Sequence, residues 1–142
     1  MAYTTIADLR KRLSEAKLIQ LTDYKNLGSV DPDVVTAAIN SASGIIDSYA
    51  AARYALPLTA SDQVKDIEVT LTIFKLYEGR QLVTDQVRQS YEDAIAFLKD
   101  VSAGRASLDQ AAAPQPTSGG AVVTRNHTTS PYKFDDTNLE AF

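Results

Sequence analysis

The sequence predicts an all-α protein, a small bundle of four to five helices followed by a long irregular C-terminal arm. Three observations predict it. From Val35, the apolar residues Ile39, Ala42, Ile46 and Tyr49 recur at steps of four, three, four and three, the spacing of one helical face. The run 45–58 joins the helix formers Ala50-Ala51-Ala52 to Pro57, which pushes Leu56 out of the α region and stops a helix abruptly. Beyond residue 104 the periodicity ceases, and 110–120, Gln-Ala-Ala-Ala-Pro-Gln-Pro-Thr-Ser-Gly-Gly, has nothing large to bury. The expected division is therefore a helical body at 1–104 and a linker with an extended docking arm at 105–142.

The elements follow from local chemistry. Thr4 or Thr5 can cap a first helix, with Asp8 in the first turn, where a carboxylate complements the helix dipole, and Leu9 and Leu13 inward. A second short helix is expected over 14–21, with Leu18 and Leu21 inward, and 22–30 reads as a loop. Asp31-Pro32 is the clearest start signal, because Asp accepts from free amides at the cap and Pro loses nothing at the first helical position. In the helix that follows, Ile46, Tyr49 and Arg53 fall on one stripe, and Ala38, Ala42 and Gly44 would admit a close neighbour. Ser61 or Asp62 caps the next helix, with Val64, Ile67, Leu71, Phe74 and Tyr77 inward and Gly79 at its end. Thr84 or Asp85 starts the last, with Val87, Tyr91, Ala94, Ile95, Leu98 and Val101 on its apolar side. An Arg88–Glu92 pair is expected one turn apart, and Gly104 closes the helix. The arm is polar, yet carries Val122, Val123, Tyr132, Phe134, Leu139 and Phe142, a pattern that suits docking into a partner. Residues 122–125 are compatible with a short β-hairpin.

Bulk properties exclude several classes. The 142 residues suffice for one core. A formal charge of −4 and an isoelectric point of about 4.9 oppose nucleic-acid binding, which needs clustered Lys and Arg; Arg10-Lys11-Arg12 reads as a solvated face. Without cysteine there are no disulfides, thiolate metal sites or thiol nucleophiles. No apolar run approaches membrane-spanning length, and the N-terminal residues lack the pattern of a signal peptide. His127 is the single histidine; nothing nearby suggests a nucleophile partner, and it reads as an exposed residue of the arm. The loop from Asp23 places Gly28 sixth, as in a calcium loop, but Lys25, Leu27 and Val34 stand where oxygen ligands are required. The carboxylate pairs Asp66 with Glu68 and Glu92 with Asp93 read as solvated helix faces. The expectation is a protein that is not an enzyme and uses no metal or cofactor.

Five segments carry a family resemblance: Met1-Ala2-Tyr3, Leu18-Ile19-Gln20-Leu21-Thr22-Asp23, Ile46-Asp47-Ser48-Tyr49, Arg53-Tyr54-Ala55-Leu56-Pro57-Leu58 and Arg88-Gln89-Ser90-Tyr91-Glu92-Asp93-Ala94. In order and spacing they resemble the small head–tail connector proteins of Mu-like prophages. The resemblance covers about residues 1–104 and returns weakly in the aromatic C-terminus. It implies a virion structural protein made in the host cytoplasm. Such proteins form a roughly dodecameric ring that joins the portal to the neck or tail-terminator protein around the DNA channel, with no membrane partner. The expected interface residues are Tyr132, Phe134, Leu139 and Phe142 as docking anchors, with Arg53 and Arg80 for pairing between subunits. A competing expectation is a small cytoplasmic helical regulator or scaffold that binds other proteins without forming a ring.

Overall fold

A computed structural model describes residues 2–113. The elements run α1 (Ile6–Arg12), α2 (Glu15–Thr22), α3 (Pro32–Ala50), α4 (Asp62–Gly79) and α5 (Asp85–Ser102), with no strand among the described residues. The predicted all-α bundle is therefore present. The hairpin expected at 122–125 lies outside the described residues.

The caps explain the boundaries. The Asp8 carboxylate accepts from both the amide and the hydroxyl of Thr5, each at 3.0 Å. Ser14, Asp31, Ser61 and Thr84 each accept a backbone amide of the first turn they precede, and Pro32 opens α3 as expected. The C-termini of α4 and α5 share one geometry. Leu82 N–H donates to the Tyr77 carbonyl (3.0 Å) and Gln81 N–H to Glu78 (2.9 Å); Arg105 and Gly104 donate likewise to Asp100 and Val101. Both turns need a left-handed residue. Gly104 supplies it at φ 79°, but at the end of α4 it is Gln81, at φ 56°, and not Gly79. Gln81 is exposed, so Gln81→Gly removes backbone strain without losing packing and is expected to raise stability by about 0.5–1 kcal/mol, read as a higher Tm.

α3 and α4 form the central antiparallel pair, and α5 returns beside both. Ser43, late in α3, meets Glu68, early in α4, while Arg80 at the end of α4 meets Asp23 just before α3. The bundle thus has two poles. One holds the 23–31 loop and the α4–α5 turn; the other holds the 51–61 connection and the end of α5.

Two apolar clusters fill the bundle. Ala42, Ile46, Ala50, Val64, Leu71, Leu98 and Val101 form the one shared by α3, α4 and α5. Leu9, Leu18, Leu21, Val35, Ile39, Val69 and Leu76 form the one where α1 and α2 cross the central pair. α4 serves both, so its buried set is Val64, Glu68, Val69, Leu71, Thr72 and Leu76, broader than the single predicted stripe. Ile67, Phe74 and Tyr77 are only half-buried, and Phe74 stacks on Tyr91 with ring centroids 3.9 Å apart.

Three local expectations are corrected. Gly44 is exposed, and a Cβ there would meet nothing within 4 Å among the described residues, so none of the described helices packs closely on it. Arg88 reaches Asp85 at 3.8 Å rather than Glu92. Arg53 does not continue the stripe of Ile46 and Tyr49. α3 ends at Ala50, where Arg53 and Tyr54 amides both bond the Ala50 carbonyl (2.9 Å each), so Ala51, Ala52 and Arg53 stand exposed in a turn. Tyr54 instead turns inward and its hydroxyl accepts from the Leu108 amide at 2.9 Å.

Residues 105–113 run back over the body. Leu108 is buried, Asp109 N–H donates to Gln63 at 2.7 Å, Gln110 and Thr59 exchange two hydrogen bonds, and Ala113 N–H donates to the Arg53 carbonyl at 3.0 Å.

Candidate interaction surfaces

The most concentrated polar chemistry lies inside the bundle, where it ties the first residues to the core. Glu68 is fully buried. Its carboxylate accepts the Tyr3 amide at 2.9 and 3.2 Å and the Ser43 hydroxyl. The Tyr3 hydroxyl donates to Asp47 and accepts from the Leu58 amide at 3.2 Å. Four distant points of the chain, the N-terminal segment, α3, the 51–61 connection and α4, are therefore joined through one tyrosine. Burial, reinforced by the hydrogen bond to Asp47, pushes the Tyr3 hydroxyl from 10.0 up to about 12. This assembly is enclosed and fully engaged with its own chain, which suits a structural tie.

The solvated-face reading of Glu68 is overturned. Asp66 is exposed and reaches Arg12 at 3.4 Å, but Glu68 lies four residues from Val64 and three from Leu71, on their buried stripe. That spacing is the signal that could have found it.

At the loop pole, Asp23 organises the backbone. Its carboxylate accepts the amides of Leu27 (2.9 Å) and Gly28 (2.7 Å). The Leu27 amide is the chief cause holding Asp23 below its ordinary 3.8, with help from the amides of Gly28, Lys25 and Asn26. The loop thus uses this carboxylate to satisfy its own donors. Among the described residues no group of three or more acidic or histidine side chains is placed to hold a metal ion, and no helix is long and apolar enough to cross a membrane.

The expected interface residues divide three ways. Tyr132, Phe134, Leu139 and Phe142 lie outside the described residues. Arg80 is half-buried and engaged within the chain: its guanidinium donates to the Asp23 carbonyl and lies 4.1 Å from the Tyr24 ring centroid. Arg53 is exposed at the opposite pole, where Gly104 leaves room for its guanidinium; a Cβ there would sit 1.9 Å from Nη1. The structure does not bring the two arginines together. It adds large apolar residues the sequence did not single out as surface, namely Tyr24, Leu27, Leu56 and Leu82. Side-chain exposure at the ends of a bundle depends on how loops fold back, which helical periodicity does not encode.

The family model described as Bacteriophage Mu, Gp36 matches residues 3–125. The Mu-like prophage FluMu protein gp36 of Haemophilus influenzae is 36% identical over 106 residues, covering 75% of this chain and 74% of its own length. Gene product J of Escherichia phage Mu is 32% identical over 106 residues, covering 74% of each. With most of its length matched by the family model, the chain belongs to the bacteriophage Mu Gp36 family.

Proposed function

We propose that this phage protein is a head–tail connector, a virion structural component that forms a ring between the portal and the neck or tail around the DNA channel. The observation that carries the reading is the phage family match over 3–125, joined to a helical body whose buried polar groups tie the fold together while its exposed apolar groups gather at the two poles. The segments that resemble connector proteins are also the ones that build these features. Tyr3 and Asp47 make the internal tie, and the 53–58 segment sets Arg53, Ala55, Leu56 and Pro57 on the surface of one pole. The net charge of −4 suits a channel wall along which DNA slides without being held. The arm, with Tyr132, Phe134, Leu139 and Phe142, is the part assigned to docking on the portal or an adjoining subunit.

Deleting residues 114–142 tests this assignment. Both apolar clusters lie within 2–113, so the truncated protein is expected to melt cooperatively near the temperature of the full chain. In a phage carrying the truncation, the protein is expected to be lost from purified particles, measured by quantitative mass spectrometry and cryo-microscopy of the neck. Incorporation at the normal copy number would remove the arm from the mechanism. Absence of the full-length protein from particles would remove the connector reading altogether.

A further inference from the structure

Among the described residues, the four exposed large apolar side chains are not scattered. Tyr24 (47% exposed), Leu27 (72%) and Leu82 (45%) sit at the loop pole, and Leu56 (44%) at the other. Around Leu56 the chain makes a projecting knuckle in which Ala51, Ala52, Arg53, Ala55 and Pro57 are also exposed. It is not a loose loop: buried Tyr54 and Leu58 anchor it, and the Tyr54 hydroxyl, the Arg53 carbonyl and the Leu58 amide are each hydrogen-bonded to distant parts of the chain. A fixed, mostly apolar projection is the form of a protein contact.

Charge identifies what it meets. Arg53 makes no ion pair among the described residues, and Asp33, exposed in the first turn of α3 at the opposite pole, makes none either. Asp33 and Leu27 line one surface hollow of about 240 Å³ beside the Lys25–Asp31 pair. The knuckle therefore carries Leu56 beside the unpaired Arg53, and the 27–33 loop carries Leu27 beside the unpaired Asp33, so these two surfaces each offer an apolar side chain and a charge, and the two charges are opposite. A closed ring requires such non-identical, matching surfaces on every subunit.

We propose that the 53–57 knuckle of one subunit seats against the 27–33 loop of the next copy of this chain, with Leu56 covered by Leu27 and Arg53 paired to Asp33. This deepens the ring reading, on which it rests, by naming the faces that meet.

The absence of cysteine allows a direct test on the purified full-length protein. Leu56→Cys and Leu27→Cys in one chain are expected to give, under mild oxidation, a ladder of covalently joined copies. The two single variants mixed are expected to stop at the mixed dimer. Adding Arg53→Glu to the cysteine pair, or Asp33→Lys, is expected to lower the linking rate about tenfold, and adding both to restore it. Unchanged melting of these surface variants separates loss of contact from loss of fold. Linking no faster than a Leu56→Cys, Ser41→Cys control on the exposed flank of α3 overturns the proposal, as does Leu56→Cys alone dimerising as fast as the mixture. If linking fails while the protein still occupies the neck of particles, the pole contact is wrong and the connector reading stands.

Discussion

Glu68→Ala is expected to destabilise the protein by about 2–4 kcal/mol, measured by urea or thermal unfolding. The mutation leaves a cavity at a fully buried position and removes the carboxylate that accepts the Tyr3 amide. Ser43 suffers less, because its hydroxyl already lies 3.0 Å from the Ile39 carbonyl and can donate there. Glu68→Gln keeps the volume and one acceptor oxygen for the amide, so it is expected to cost about half as much. The loss also has a location. With its anchor gone, the N-terminal segment should exchange its amide hydrogens faster than α3 or α5. An Ala variant as stable as the parent, with unchanged exchange at Tyr3, would mean that this carboxylate does not hold the segment. Since domains of this size are typically stable by about 5–15 kcal/mol, the predicted loss is large enough to limit the amount of folded protein in the cell.

How far this fold was legible depends on which residues decide it. The starts of α3, α4 and α5 were readable because Asp31-Pro32, Ser61 and Thr84 act on amides two or three residues away, a purely local effect. The buried face of α3 is readable for a related reason: Val35, Ala38, Ile39, Ala42, Ile46 and Ala50 are all apolar and keep a single period. α4 is harder to read because its buried face includes polar groups. Glu68 and Thr72 lie buried among Val64, Val69, Leu71 and Leu76, and a stripe drawn through apolar residues alone is rotated away from them. Glu68 was hidden by its identity. A carboxylate reads as surface until something remote, here the Tyr3 amide, is known to reach it. Arg53 failed in the opposite direction, since the helical register that placed it on a stripe ended three residues too early. The inward turn of Tyr54, fixed by an amide 54 residues away, is a tertiary event with no local signature. The same holds for the poles. Leu56 and Leu27 are ordinary apolar residues in sequence; α3 between them sets them at opposite ends, but their exposure depends on how the flanking loops fold.

Tyr3→Phe is expected to cost about 1–3 kcal/mol at neutral pH and to flatten the alkaline limb of the stability profile. The ring stays, so packing against Ile46 and Leu58 is retained, but the Leu58 amide loses its acceptor and Asp47 loses a donor. The pH effect follows from linkage. The folded state raises the hydroxyl from 10.0 to about 12, so folding favours the protonated phenol. That contribution is complete below about pH 10 and is lost as the pH rises toward 12. A shift of this size at a buried group corresponds to about 2–3 kcal/mol. The parent should therefore lose stability between pH 10 and 12 faster than the Phe variant, and the two curves should converge there. Other tyrosines titrate in the same range in both proteins, so the difference between the curves isolates Tyr3. Parallel curves would show that burial and the hydrogen bond to Asp47 do not hold the proton on this hydroxyl in the folded chain. Convergence would tie Tyr3 to the middle of α3 and the base of the exposed knuckle, making the N-terminal segment a brace for the surface proposed to meet the next subunit.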